Sequence, residues 1–108
     1  MLTAGKWNGN AVYYKGKPMS VEEFGSDIKD IQIQFNKDGS YIHFGEGEEI
    51  GNGTWEFTAD ENSIIQDKGS EDEYVFDINK LTSSELYFET EEVISDELTD
   101  IVEYRFNR

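Results

Sequence analysis

The stretch Ile31-Gln32-Ile33-Gln34-Phe35-Asn36 alternates apolar and polar side chains without a break, and Lys37-Asp38-Gly39 follows at once. Period two puts Ile31, Ile33 and Phe35 on one face and the amides on the other, the pattern of a strand with one dry and one wet side. Gly39 suits a left-handed turn position, so the chain is expected to reverse there as a hairpin. The same grammar recurs along the chain. Thr54-Trp55-Glu56-Phe57-Thr58, Ser63-Ile64-Ile65-Gln66 and Tyr74 to Asn79 read as strands. So do a segment marked by Leu86 and Phe88, and Ile101 to Arg105 with Val102, Tyr104 and Phe106 on one side. A chain of this kind buries its alternate faces only by closing one sheet or packing two.

Residues 6–15 form the first strand, with Trp7, Gly9, Ala11 and Tyr13 sharing a face. Gly9 and Ala11 are small, which leaves room for a bend, a ligand or another backbone. Gly16-Lys17-Pro18 ends that strand. Ser20-Val21-Glu22-Glu23 then fits a capping box, giving one short helix near residues 20–25, with Val21 and Phe24 as its apolar face. So short a helix must lean on something, as a lid over a barrel mouth or as a plain connector. Ser40 to Phe44 returns from the hairpin with large groups on both faces. Gly45 to Gly53 reads as a polar turn, Lys80 to Ser83 as a turn, and Glu89 to Asp96 as an acidic loop.

The tally is about eight short strands in a single domain over residues 1–108. The expected fold class is all-β, an eight-stranded antiparallel up-and-down β-barrel, because closure removes exposed edges. A Greek-key sandwich is the competing architecture. Closure would bring the chain ends together. Gly5-Lys6-Trp7 opens the first strand and Arg105 sits on the last, so Trp7 and Arg105 are the expected barrel-closing pair, guanidinium over indole.

Charge narrows the partners. The net charge is −15. Lys6, Lys15, Lys17, Lys29 and Lys37 balance Glu22, Glu23, Asp27 and Asp30, so the excess falls on residues 38–108. Such a surface repels phosphate backbones and anionic membranes, which excludes nucleic acid as a partner. No apolar run is long enough for a transmembrane segment, and no signal-peptide pattern is read. Without cysteine there is no disulfide and no thiolate metal site, and the redox compartment stays open.

Chemistry-bearing constellations are scarce. His43 is the single histidine, and no second histidine or cysteine supports it as a base or metal ligand. Glu56 and Asp77 are mid-strand acids that alternation points outward. Asp60-Glu61-Asn62 and Asp67 to Glu73 lack EF-hand spacing. No catalytic triad order, phosphate loop or metalloprotease motif is present. The expectation is no enzyme, no metal and no cofactor.

Several ordered pieces carry a resemblance. They are Leu2-Thr3-Ala4-Gly5-Lys6-Trp7, Ile33-Gln34-Phe35-Asn36-Lys37-Asp38-Gly39-Ser40-Tyr41, Gly53-Thr54-Trp55 with Asp60-Glu61-Asn62, and Ile78-Asn79-Lys80-Leu81-Thr82-Ser83-Ser84-Glu85-Leu86-Tyr87. Together the chain resembles the small lipocalin-like domains of exported gut-bacterial proteins. The resemblance implies a lipocalin-like barrel, in many relatives with a cavity for a small apolar molecule. It also implies export to the periplasm or cell surface, often through a lipid anchor on an N-terminal cysteine that these residues do not contain.

The expected function is therefore non-enzymatic binding of a small hydrophobic or amphipathic ligand by a monomer. The candidate inward wall is Trp7, Tyr13, Ile33, Phe35, Phe44, Trp55, Phe57, Phe76, Phe88 and Tyr104. The alternative is a filled core in an accessory module that meets an unidentified surface protein, with no small-molecule ligand. A hollow interior separates the two.

Overall fold

The alternating stretches pair in chain order. The structure is a computed structural model and describes residues 2–3, 5–24, 27–95 and 98–108. Among these residues nine strands form: β1 (Lys6–Tyr14), β2 (Lys17–Pro18), β3 (Ile31–Phe35), β4 (Ser40–Gly45), β5 (Glu48–Phe57), β6 (Ser63–Gln66), β7 (Tyr74–Leu81), β8 (Glu85–Ser95) and β9 (Leu98–Asn107). From β3 to β9 each strand pairs antiparallel with the next. β1 pairs with β3 through Lys6–Asn8 and with β9 through Asn8–Tyr14, which closes a ring of eight. β2 stands outside the ring, attached to the end of β1. The architecture is an all-β antiparallel barrel with one small added strand, and the expected fold class holds.

The capping box is made. The Ser20 hydroxyl accepts from the Glu23 amide at 3.2 Å, and the Glu23 carboxylate accepts from the Ser20 amide at 3.1 Å. It starts a one-turn helix, α1 (Val21–Phe24). The expected end at Gly25 lies outside the described residues. Val21 is 54% exposed, so it gives α1 no buried face. The piece that enters the barrel mouth is the following 3-10 turn, Ile28–Asp30, whose first turn is capped by Asp27 accepting from the Lys29 amide. Its backbone crosses the inner face of β1 at Gly9. A Cβ there would lie 1.9 Å from the Ile28 carbonyl oxygen. Gly9 therefore serves as a landing site for backbone.

Three expectations about the chain path are corrected. Residues 45–53 are not one polar turn. The chain reverses at Glu46-Gly47, with φ of 53° and 83°, the geometry of a two-residue hairpin, and β5 has begun by Glu48. Glycine-rich Glu48 to Gly53 has little strand preference of its own; the ladder to β4 supplies it. Residues 89–96 are not an acidic loop. β8 runs on to Ser95 with Glu92 opposite Asp100, and Asp96 lies outside the described residues. The turn expected at Lys80–Ser83 starts later, because β7 continues through Leu81.

Closure at the base is also corrected. Arg105 does not cover Trp7. Alternation sends Phe106 inward at 2% exposure and Arg105 outward, where its guanidinium lies 3.8 Å from the Tyr13 ring centroid and 4.7 Å from that of Tyr87. Arg108, two residues beyond Phe106 on the inward parity, takes the role. Its guanidinium lies 3.7 Å over the Trp7 ring and donates to the carbonyls of Gly5 at 3.3 Å and Ser83 at 3.1 Å. Trp7, fully buried, donates its indole N–H to the Leu2 carbonyl at 3.0 Å. Leu2, Trp7, Phe35, Leu86 and Phe106 belong to one buried cluster with Ile33, Ile64 and Phe88.

Candidate functional site

The barrel is not filled to its mouth. A cavity of about 280 Å³ remains above that core. Ile28 of the 3-10 turn with Ile31 and Ile33 of β3 make one wall. Phe76 of β7, Phe88 of β8 and Phe106 of β9 make the other. The aromatic wall is continuous: Phe76 and Phe88 centroids are 4.8 Å apart, Phe88 and Phe106 stack at 5.5 Å, and Phe88 and Tyr104 stack at 5.6 Å. A cavity of about 150 Å³ holds a benzene ring, so this one has room for about a dozen non-hydrogen atoms.

Two polar features break the apolar lining. The first is Gln66 of β6, 4% exposed, with no hydrogen-bond partner for its Nε2. Such a buried amide costs about 1–3 kcal/mol unless something meets it. The second is Glu92 of β8. Its Oε1 accepts from the Tyr74 hydroxyl at 3.0 Å and from the Tyr104 hydroxyl at 2.9 Å. Burial, and then the bond to Glu92, push the Tyr104 phenol far above the ordinary tyrosine range. Burial also raises Tyr74. Both phenols are thus proton donors at neutral pH. Tyr74 stands opposite Gln66 in the β6–β7 register, so the two polar features lie on adjoining parts of the lining.

The sequence-derived wall divides three ways. Ile33, Phe76, Phe88 and Tyr104 line the cavity. Trp7 and Phe35 belong to the packed core beneath it, and Trp55 and Phe57 pack against that core without bordering the cavity. Tyr13 and Phe44 are corrections, since both lie on the outside. An extra residue, Asn10, is bulged between the Gly9–Phe106 and Ala11–Arg105 pairs, and it flips the parity of β1. Val12, 2% exposed and opposite Tyr104, turns inward where Tyr13 was expected. Phe44 pairs with outward Gln32 and receives Lys6 over its ring at 4.0 Å. Its neighbour His43 takes the inward position opposite Ile33.

His43 lies beside Tyr41, ring centroids 5.0 Å apart, and burial pulls its pKa down against the opposing pull of Asp67. Asp67 is committed elsewhere. It accepts from the Tyr41 hydroxyl at 2.8 Å and from the Thr54 amide at 3.1 Å. Among the described residues no group of three acids or histidines is placed to hold a metal. Glu56 and Asp77 point outward, pairing with Lys68 and the Ser63 hydroxyl. Asp60 accepts from Thr58 and the Asn62 amide within its own turn.

Gln66 and Glu92 escaped the sequence reading, although a signal for each was present. Gln66 shares parity with Ile64, and Glu92 lies four residues past Phe88 on the parity of Leu86. Reading Glu89 onward as a loop cut that register short.

An eight-stranded antiparallel barrel encloses a space that side chains fill or that holds one small ligand. The sequence matches the model of the lipocalin-like domain over residues 3–88, and the chain belongs to that family. No curated protein matches the sequence. Among the described residues no helix is long and apolar enough to cross a membrane.

Proposed function

We propose that the protein binds one small, mostly apolar molecule in the cavity at the barrel mouth and performs no reaction on it. The observation that carries this reading is a 280 Å³ apolar cavity with the unpartnered Gln66 amide in its lining. A merely packed module would gain stability from an aliphatic side chain at that position. Export, as in the proteins the sequence resembles, fits the acid-rich composition, and detection of the chain outside the cytoplasm of its host tests it.

The binding test is titration with a neutral, environment-sensitive apolar dye. Saturable one-to-one enhancement is expected, and it should be lost in Ile31→Trp, which fills the cavity from a half-buried position. The core tryptophans Trp7 and Trp55 do not border the cavity, so dye emission is the proper readout. A folded protein that shows no saturable dye binding would overturn the proposal.

A further inference from the structure

The polar groups of the cavity choose among ligands, and they choose by charge. Glu92 spends Oε1 on two phenols. The ion pairs among the described residues are Lys68–Glu56, Lys80–Glu85 and Arg105–Glu103, so among those residues no lysine or arginine is paired with Glu92. Across the β8–β9 ladder stands Asp100, which accepts from the Tyr14 hydroxyl at 3.2 Å. The cavity lining itself presents one carboxylate, Glu92, in a chain of net charge −15. Glu92 sits at the hydroxyl ends of Tyr74 and Tyr104, and the Phe88 ring stacks on Tyr104 in the same lining. A carboxylate set among aromatic rings attracts an organic cation and repels an anion.

We propose that the cavity selects a small primary amine: an ammonium at Glu92 carried on an aromatic or short alkyl body of about a dozen non-hydrogen atoms. The body lies on the Phe76–Phe88–Phe106 strip. A hydrogen-bond acceptor on the body meets the Gln66 Nε2–H, which has no partner among the described residues. Fatty acids and other small carboxylates are disfavoured by Glu92 and by the negative charge of the chain. This inference rests on the ligand-binding reading above and adds the chemical class.

The test uses the folded full chain and displacement of the neutral dye by three molecules of one shape: tryptamine, indole-3-propionate, and the uncharged 3-(2-hydroxyethyl)indole. Tryptamine is expected to displace dye at a concentration at least tenfold below the carboxylate. The variant Glu92→Gln keeps an acceptor for Tyr74 and Tyr104, so it should fold with an unchanged circular dichroism spectrum while its preference for tryptamine over 3-(2-hydroxyethyl)indole falls about tenfold. Dye binding with no preference for the amine, or an unchanged preference for the amine in Glu92→Gln, overturns the amine assignment and leaves the cavity reading standing. Absence of both dye and indole binding in the folded wild-type chain overturns both.

Discussion

Replacing Gln66 by Met tests the link between the cavity and its function. Gln66 is 96% buried by complement of its 4% exposure, and its Nε2 has no partner. Leaving an amide dry and unpaired costs about 1–3 kcal/mol. Methionine has nearly the same reach and volume, adds no polar atom, and fits irregular apolar space with little strain. Gln66→Met should therefore stabilise the empty protein by about 1–3 kcal/mol. For a domain of this length each kcal/mol shifts Tm by roughly 4–8 °C, so a rise of about 4–24 °C is expected. The assay is a thermal melt followed by circular dichroism, wild type beside variant, in the absence of ligand. Affinity should move the other way. The hydrogen bond to a polar atom of the ligand is lost, worth a net of about 1 kcal/mol, or about fivefold in Kd. The neutral dye, which has no such atom to place, should bind both proteins alike. A Tm that is unchanged or lower in Gln66→Met would refute the reasoning, because it would mean that the amide is already satisfied in the empty barrel.

Arg108→Ala should destabilise by about 1–3 kcal/mol, through loss of the contact over the buried Trp7 ring and of the bonds to the Gly5 and Ser83 carbonyls, while Arg105→Ala should stay within about 1 kcal/mol; urea melts that give the opposite order would restore Arg105 as the latch. Gly9→Ala should cost about 1–3 kcal/mol, because the Cβ would drive the Ile28 carbonyl out of the mouth, and the same variant should weaken dye binding; an unchanged melt and dye affinity would mean that the 3-10 turn does not rest there. Burial, reinforced by Asp67, pushes the Tyr41 phenol from 10.0 up to about 12. The folded state thus favours the protonated phenol, whose contribution is complete below pH 10 and is lost as pH rises towards 12. Tm should fall across that window, and fall less steeply in Tyr41→Phe; parallel curves for the two proteins would contradict the assignment.

Much of the barrel was legible before any coordinates. Ile31, Ile33 and Phe35 alternate cleanly because nothing interrupts their ladder. The hairpin at Lys37-Asp38-Gly39 follows from a glycine that sits at φ 91°. Ser20 and Glu23 announced their reciprocal cap because both halves of that interaction lie within four residues. Less of the site was legible. Tyr13 was placed inward by counting in twos, and the count fails where a bulge inserts a residue, as at Asn10, whereas Phe44 lies on a strand with large groups on both faces, whose inward side only the ladder to β3 decides. Bulges are set by the pairing strand, which a local reading does not contain. Glu92 was hidden for a related reason. All four residues from Glu89 to Glu92 are acidic or polar, and only pairing with Asp100 to Glu103 shows them to be strand.

Near neighbours in the sequence already carry the strand faces, the tight turns and the helix cap, and the composition carries the strongly acidic charge. The tertiary structure alone decided which arginine lies on Trp7, which backbone rests on Gly9, and which polar groups share the cavity. Those outcomes turn on registers between strands far apart in the chain. A shift of one residue in a register exchanges the inner and outer faces, and no local pattern records that shift.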